Sequence, residues 1–112
     1  MDSNNSREQK VKDLQMTEQN VQNLSLQKQT SQVELNEINN ALAEIEKTDD
    51  EIYKILGGIM IKTDKSALKK ELGEKKKLLE LRIQAIEKQE KLVSEKAKKL
   101  RSEISQEFNK KI

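Results

Sequence analysis

Ile52-Tyr53-Lys54-Ile55-Leu56-Gly57-Gly58-Ile59-Met60-Ile61-Lys62-Thr63 is the stretch that decides the fold. Two five-residue runs rich in β-branched and other strand-forming side chains flank a pair of glycines. Consecutive glycines suit a two-residue type I′ turn, which requires positive φ at both central positions. Residues 52–63 are therefore read as a β-hairpin. Such a hairpin is marginal alone in water. This one would also carry an Ile- and Leu-rich surface and two unpaired edges, which invite pairing with another chain. Several copies joined edge to edge, in a larger sheet or closed barrel, resolve both problems. The chain is expected not to be a monomer. Its assembly element is Ile52, Tyr53, Ile55, Leu56, Gly57, Gly58, Ile59, Met60 and Ile61.

Outward from the hairpin the period changes from two to seven. Before it, Leu14, Val21, Lys28, Leu35 and Leu42 form one heptad series, and Thr17, Leu24, Ser31, Ile38 and Ile45 form the second. After it, Leu72, Leu79, Ile86, Val93 and Leu100 interleave with Lys76, Ile83, Glu90, Ala97 and Ile104. Seams of this length argue for coiled coil over ordinary surface helices. Leu14 to Ile45 spans 31 residue steps and Leu72 to Ile104 spans 32, so each arm is roughly 47–48 Å long at the α-helical rise. Matched arms with a short connection predict an antiparallel hairpin of helices. Partner numbers summing to 121 pair Leu35 with Ile86 and Leu42 with Leu79. A sum of 114 satisfies the pattern equally, so register is open by one heptad. The expected fold is mostly α: an antiparallel two-helix coiled coil whose helices are joined by a β-hairpin. It forms one domain over 1–112, with helices at 10–48 and 65–108. Asp64 or Ser66 is expected to cap the second helix through its side-chain oxygen.

Composition supports this reading. Of 112 residues, 38% are charged, 33% hydrophobic and 2% aromatic, with no proline. Ala, Glu, Lys, Leu and Arg supply about half the chain, a coiled-coil signature once the apolar residues fall in phase. Residues 1–48 carry 5 basic and 8 acidic side chains, whereas residues 64–112 carry 15 and 9. That asymmetry favours pairing of the two arms, although each exposed pair contributes only about 0.2–1 kcal/mol.

Most chemistry is excluded by the inventory. Without Cys or His, thiolate sites, imidazole ligands and the commonest general base are absent. The carboxylates lie along solvated helix faces with Lys nearby, and Gly57-Gly58 lacks the spacing of a phosphate loop. No enzyme, cofactor or metal is expected. Lys75-Lys76-Lys77 and Lys96 with Lys98-Lys99 are basic, but no aromatics interleave them for base stacking. No apolar run approaches the roughly 20 residues that span a bilayer, and the start lacks a signal-peptide stretch. The expected setting is cytoplasmic, with no nucleic acid and no membrane as partner. At the free ends, Val11, Leu14 and Met16 would meet Leu100, Ile104 and Phe108, with Ile112 beyond. These residues either finish the seam or provide an adaptable apolar grip on other proteins.

The pattern resembles the β-class subunits of the prefoldin family over roughly residues 11–105. The resemblance rests on Gln27-Lys28-Gln29 and Leu35-Asn36-Glu37 in the first arm, and on Glu71-Leu72, Leu81-Arg82 and Glu87-Lys88-Gln89-Glu90 in the second. It rests most on Ile52-Tyr53-Lys54 through Gly57 to Ile59-Met60-Ile61-Lys62. It implies a hexamer of two α-class and four β-class subunits, whose hairpins build a double β-barrel from which six coiled coils hang. Carried over by position, Val11, Leu14, Leu100, Ile104 and Phe108 would belong to a client-binding tip. The implied function is an ATP-independent molecular chaperone, a holdase that takes non-native proteins and passes them to a group II chaperonin. Two other classes stay open on the residues alone. One is a structural coiled-coil tether in a multi-protein assembly. The other is a basic nucleic-acid-binding helical hairpin.

Overall fold

The computed structural model of the chain describes residues 3–110, with side-chain surroundings for 5–109. Its elements are α1 (Ser3–Lys47), β1 (Ile52–Leu56), β2 (Ile59–Thr63) and α2 (Lys65–Lys110). Two long helices are thus joined by a two-stranded antiparallel hairpin, as the residue periods require.

The helices rest on their heptad seams. Each residue of the four series set out above is buried or half-buried, while most of its neighbours are exposed. Ile45, Leu79, Ile83, Ile86 and Ala97 form the buried apolar set. Thr17 and Ser31 are the buried polar residues among those described. Thr17 is satisfied within its own helix, its hydroxyl donating to the Asp13 carbonyl at 2.6 Å. Burying that hydroxyl without an acceptor would cost on the order of 1–3 kcal/mol. Among the described residues, no helix is long and apolar enough to cross a membrane.

Helix α1 begins at Ser3 and α2 runs to Lys110, both beyond the 10–48 and 65–108 that the apolar pattern marks. The cause is legible in phase. Arg7, one heptad before Leu14, lies outside the marked range, and Lys10 and Glu107, one heptad from Thr17 and Leu100, lie at its edges. The seam continues, but in charged residues that an apolar count does not register.

The contacts divide into two compact units. One comprises residues 1–29 and 84–112, and the other residues 30–83. In the first, here the terminal unit, the two helices are joined by ion pairs from Lys28 to Glu90 at 3.0 Å and from Arg101 to Glu18 at 3.4 Å. Glu90 is one of the seam's polar residues, and Lys28 is its partner; the Glu90 carboxylate holds the Lys28 ammonium above its ordinary pKa. In the second, here the hairpin unit, Lys69 pairs with Glu46. That contact, first through its hydrogen bond and then through its charge, holds the Glu46 carboxyl below its usual range.

The hairpin unit also shows how the chain changes from helix to strand. The last turn of α1 closes with Thr48 N–H donating to the Glu44 carbonyl, and the Asp50 N–H then donates to the Thr48 hydroxyl. Asp64 takes the capping position of α2: its carbonyl accepts from the Leu68 N–H at 2.9 Å. Ser66 supports it, its hydroxyl donating to the Asp64 carboxylate at 2.8 Å. Lys65 Nζ reaches back to the Thr48 carbonyl at 3.2 Å, tying the two helix ends that frame the hairpin.

Candidate functional site

The hairpin pairs Ile52 with Thr63, Tyr53 with Lys62, Lys54 with Ile61, Ile55 with Met60, and Leu56 with Ile59. Gly57 and Gly58 have φ of +57° and +79°, the left-handed pair that a type I′ turn demands. Side chains alternate between faces. Ile52, Lys54, Leu56, Ile59, Ile61 and Thr63 share one face. At its base, Ile52, Lys54 and Thr63 are half-buried, and Lys54 Nζ reaches Glu71 of α2 at 3.4 Å. Tyr53, Ile55, Met60 and Lys62 share the other face, where Ile55 is 74% and Met60 66% exposed. Leu56 and Ile59, beside the turn, are also exposed.

The sheet has two strands, so each strand is an edge. In an antiparallel ladder, hydrogen-bonded and non-hydrogen-bonded pairs alternate. The turn bonds Leu56 to Ile59, so the alternate pairs Ile55–Met60 and Tyr53–Lys62 turn their backbone N–H and C=O outward. The residues with unspent backbone groups are thus also those of the exposed face. An edge of this kind is a template for another strand.

Periodicity gave no sign of a polar cluster on that face. Glu51 accepts from the Tyr53 hydroxyl at 2.7 Å and from Lys62 Nζ at 3.1 Å. The Tyr53 hydrogen bond, then the Lys62 one, holds the Glu51 carboxyl below its usual range. The same hydroxyl–carboxylate bond, helped by desolvation, pushes the Tyr53 phenol up. The cross-strand pair Tyr53–Lys62 is thus fixed from outside the strands by the residue just before β1.

In the terminal unit the proposed tip residues fall into two groups. Leu14, Leu100 and Ile104 are half-buried in the seam. Val11 is 36% and Phe108 59% exposed, and Met16 is exposed as well. Ile112 lies outside the described residues. Beside Val11, a shallow concavity of about 320 Å³ is lined by Arg7, Glu8, Val11, Lys12 and Gln15. Across the same end Lys10 pairs with Glu107, and lies 3.9 Å from Glu103. Hydrogen bonding to Glu107 holds the Lys10 ammonium above its ordinary pKa. These charged residues were not among the expected site residues. The signal that finds Arg7, Lys10 and Glu107 is their heptad phase.

No group of three or more His, Cys, Asp or Glu able to hold a metal ion occurs among the described residues. What the arrangement can do is present apolar surface and strand edges.

A family model described as a prefoldin subunit matches residues 8–111. The prefoldin subunit beta of Pyrobaculum islandicum is 44% identical over 91 residues, covering 80% of this chain and 73% of its own. That of Thermococcus onnurineus is 45% identical over 89 residues, covering 78% and 77%. The crystal structure of the prefoldin beta subunit from Thermococcus strain KS-1 superposes with a TM-score of 0.83 at 38% identity, covering 90% of each chain.

Proposed function

Since the chain belongs to the prefoldin family, with β subunits as its relatives, we propose that it is the β-type subunit of an ATP-independent holdase. The observation that carries this reading is the hairpin. Its apolar face and both strand edges are left open by its own chain, a state that association with sister hairpins relieves. The proposed assembly is a hexamer of two α-class and four β-class subunits, built through Ile52, Tyr53, Ile55, Leu56, Gly57, Gly58, Ile59, Met60 and Ile61.

Client capture is assigned to the free helix ends. Val11 and Phe108 offer exposed apolar contact, and Leu14, Leu100 and Ile104 lie beneath them in sequence phase. Each such contact is weak, so several subunits acting on one chain supply avidity in place of a tight site. On this reading no bond is made or broken. Delivery to a group II chaperonin and a cytoplasmic setting complete the proposal.

The test uses the assembled complex with its α-class partner. Val11→Ser with Phe108→Ser removes the exposed apolar contacts and leaves the seam intact. Suppression of aggregation of a denatured client should fall several-fold, with the complex unchanged in size. Full suppression by that variant would overturn the capture reading and favour a structural tether.

A further inference from the structure

The apolar residues best suited to hold a client, Leu14, Leu100 and Ile104, are half-buried in the seam of the terminal unit. Most of their surface can meet an incoming chain only if the two helix ends part. Beyond those apolar layers, Lys10 joins the two helices by ion pairs. The seam positions that follow the last apolar layers are Arg7, Lys10 and Glu107. Lys10 bridges to Glu107 and lies 3.9 Å from Glu103, with side-chain exposures of 28%, 27% and 36% respectively. These groups are partly shielded from water, unlike the more open Arg101–Glu18 pair of the same unit.

We propose that Lys10, Glu103 and Glu107 form an ionic clasp that holds the end of the seam shut, and that its release uncovers Leu14, Leu100 and Ile104 for a client's apolar segment. This rests on the capture reading above and adds its regulation. A clasp of charges differs from an apolar clasp in one useful respect. An apolar layer at the helix ends would compete with clients for the same apolar contacts, and would be lost to the same partners. The ionic layer does not. It sets the closed state by an interaction that a client's hydrophobic side chains neither use nor need. Val11 and Phe108, already exposed, make the first contact, and opening enlarges it.

Ionic strength is the natural probe, because the Debye length falls from about 10 Å at 0.1 M salt to about 3 Å at 1 M. A partly exposed pair typically shifts a local equilibrium by about 1.5- to 5-fold. Amide hydrogen exchange of residues 11–17 and 100–108, measured on the full chain in its complex, reads the opening directly. In the parent, raising salt should speed exchange there by about 1.5- to 5-fold. Lys10→Glu, which sets a third carboxylate against two, should speed it at low salt by at least that factor and abolish the acceleration by salt. Glu107→Lys combined with Lys10→Glu restores an opposed pair and should restore the parent's protection.

Equal exchange in parent and Lys10→Glu, or no recovery in the double variant, would overturn the clasp. Client capture is read separately on the same proteins. Faster exchange in Lys10→Glu with tighter capture supports the proposal. Faster exchange with unchanged capture overturns the regulatory role. If the Val11→Ser, Phe108→Ser complex also captures normally, the fault lies with the capture reading itself.

Discussion

Ile55 and Met60 sit opposite each other on the exposed hairpin face, 74% and 66% open to solvent. Fully burying a side chain of this size contributes about 1.5–3 kcal/mol. Covering what remains exposed on these two would therefore contribute about 1–2 kcal/mol each. Ile55→Thr with Met60→Thr removes most of that while keeping strand-forming side chains in the ladder. The single chain should scarcely notice, because substitutions at exposed positions usually stay within about 0.5 kcal/mol. Association should weaken by about 2–4 kcal/mol per interface, roughly 30- to 1,000-fold in dissociation constant. Light scattering across a concentration series, with the helical melt followed in parallel, separates the two effects. Intact assembly at all concentrations would refute the reasoning. So would a large drop in the melting of the dissociated chain, since it would mean that these residues already stabilise the single chain.

Two further outcomes follow from single residues. Gly73 is exposed within α2, and a Cβ built there meets nothing within 4 Å, so Gly73→Ala should stabilise the helix by about 1 kcal/mol and raise Tm by several degrees. A fall in Tm would mean that another subunit packs against that backbone. Tyr53 is the sole tyrosine and there is no tryptophan, so its phenolate absorbance is an isolated probe. Its ionisation should lie above the ordinary 10.0. The raised pKa means that its stabilising contribution is present below 10 and is lost as pH rises through the folded value. Glu51→Gln should bring the midpoint back toward 10.0; an unmoved midpoint would show that the Glu51 hydrogen bond does not set it.

Legibility of the fold followed the two periods. The hairpin was readable because its signal is local: strand-forming runs, and a turn whose two positive φ values only glycine adopts cheaply. The helices were readable because a coiled-coil seam repeats, so that Lys28, Ser31 and Glu90 could occupy it without breaking the pattern. The outer limits of the helices were less readable. Toward those limits the seam residues are charged, Arg7 outside the expected range and Lys10 and Glu107 at its edges, and hydrophobicity carries no information about them. Register was open for a related reason. Both heptad sums set seam residue opposite seam residue, and Lys28 and Glu90 are long enough to reach partners in more than one layer.

The candidate sites divide along the same line. Residues proposed for roles that need only exposure and apolarity, such as Ile55, Met60, Val11 and Phe108, stand out from composition and position. Residues whose role is to hold others did not, because their signal is a distance between segments far apart in sequence. Glu51 looks like one acid among three in Asp49-Asp50-Glu51 until strand register brings Lys62 beside Tyr53. Lys10 looks like a solvated N-terminal lysine until the pairing of the helices sets it on Glu107. Both are ions with a partner in a distant segment of the chain, Lys62 for Glu51 and Glu107 for Lys10. A chain with so little hydrophobic content cannot hold its sticky segments in place by packing alone. It places charges next to them, Glu51 beside the hairpin and Lys10 beside the helix ends.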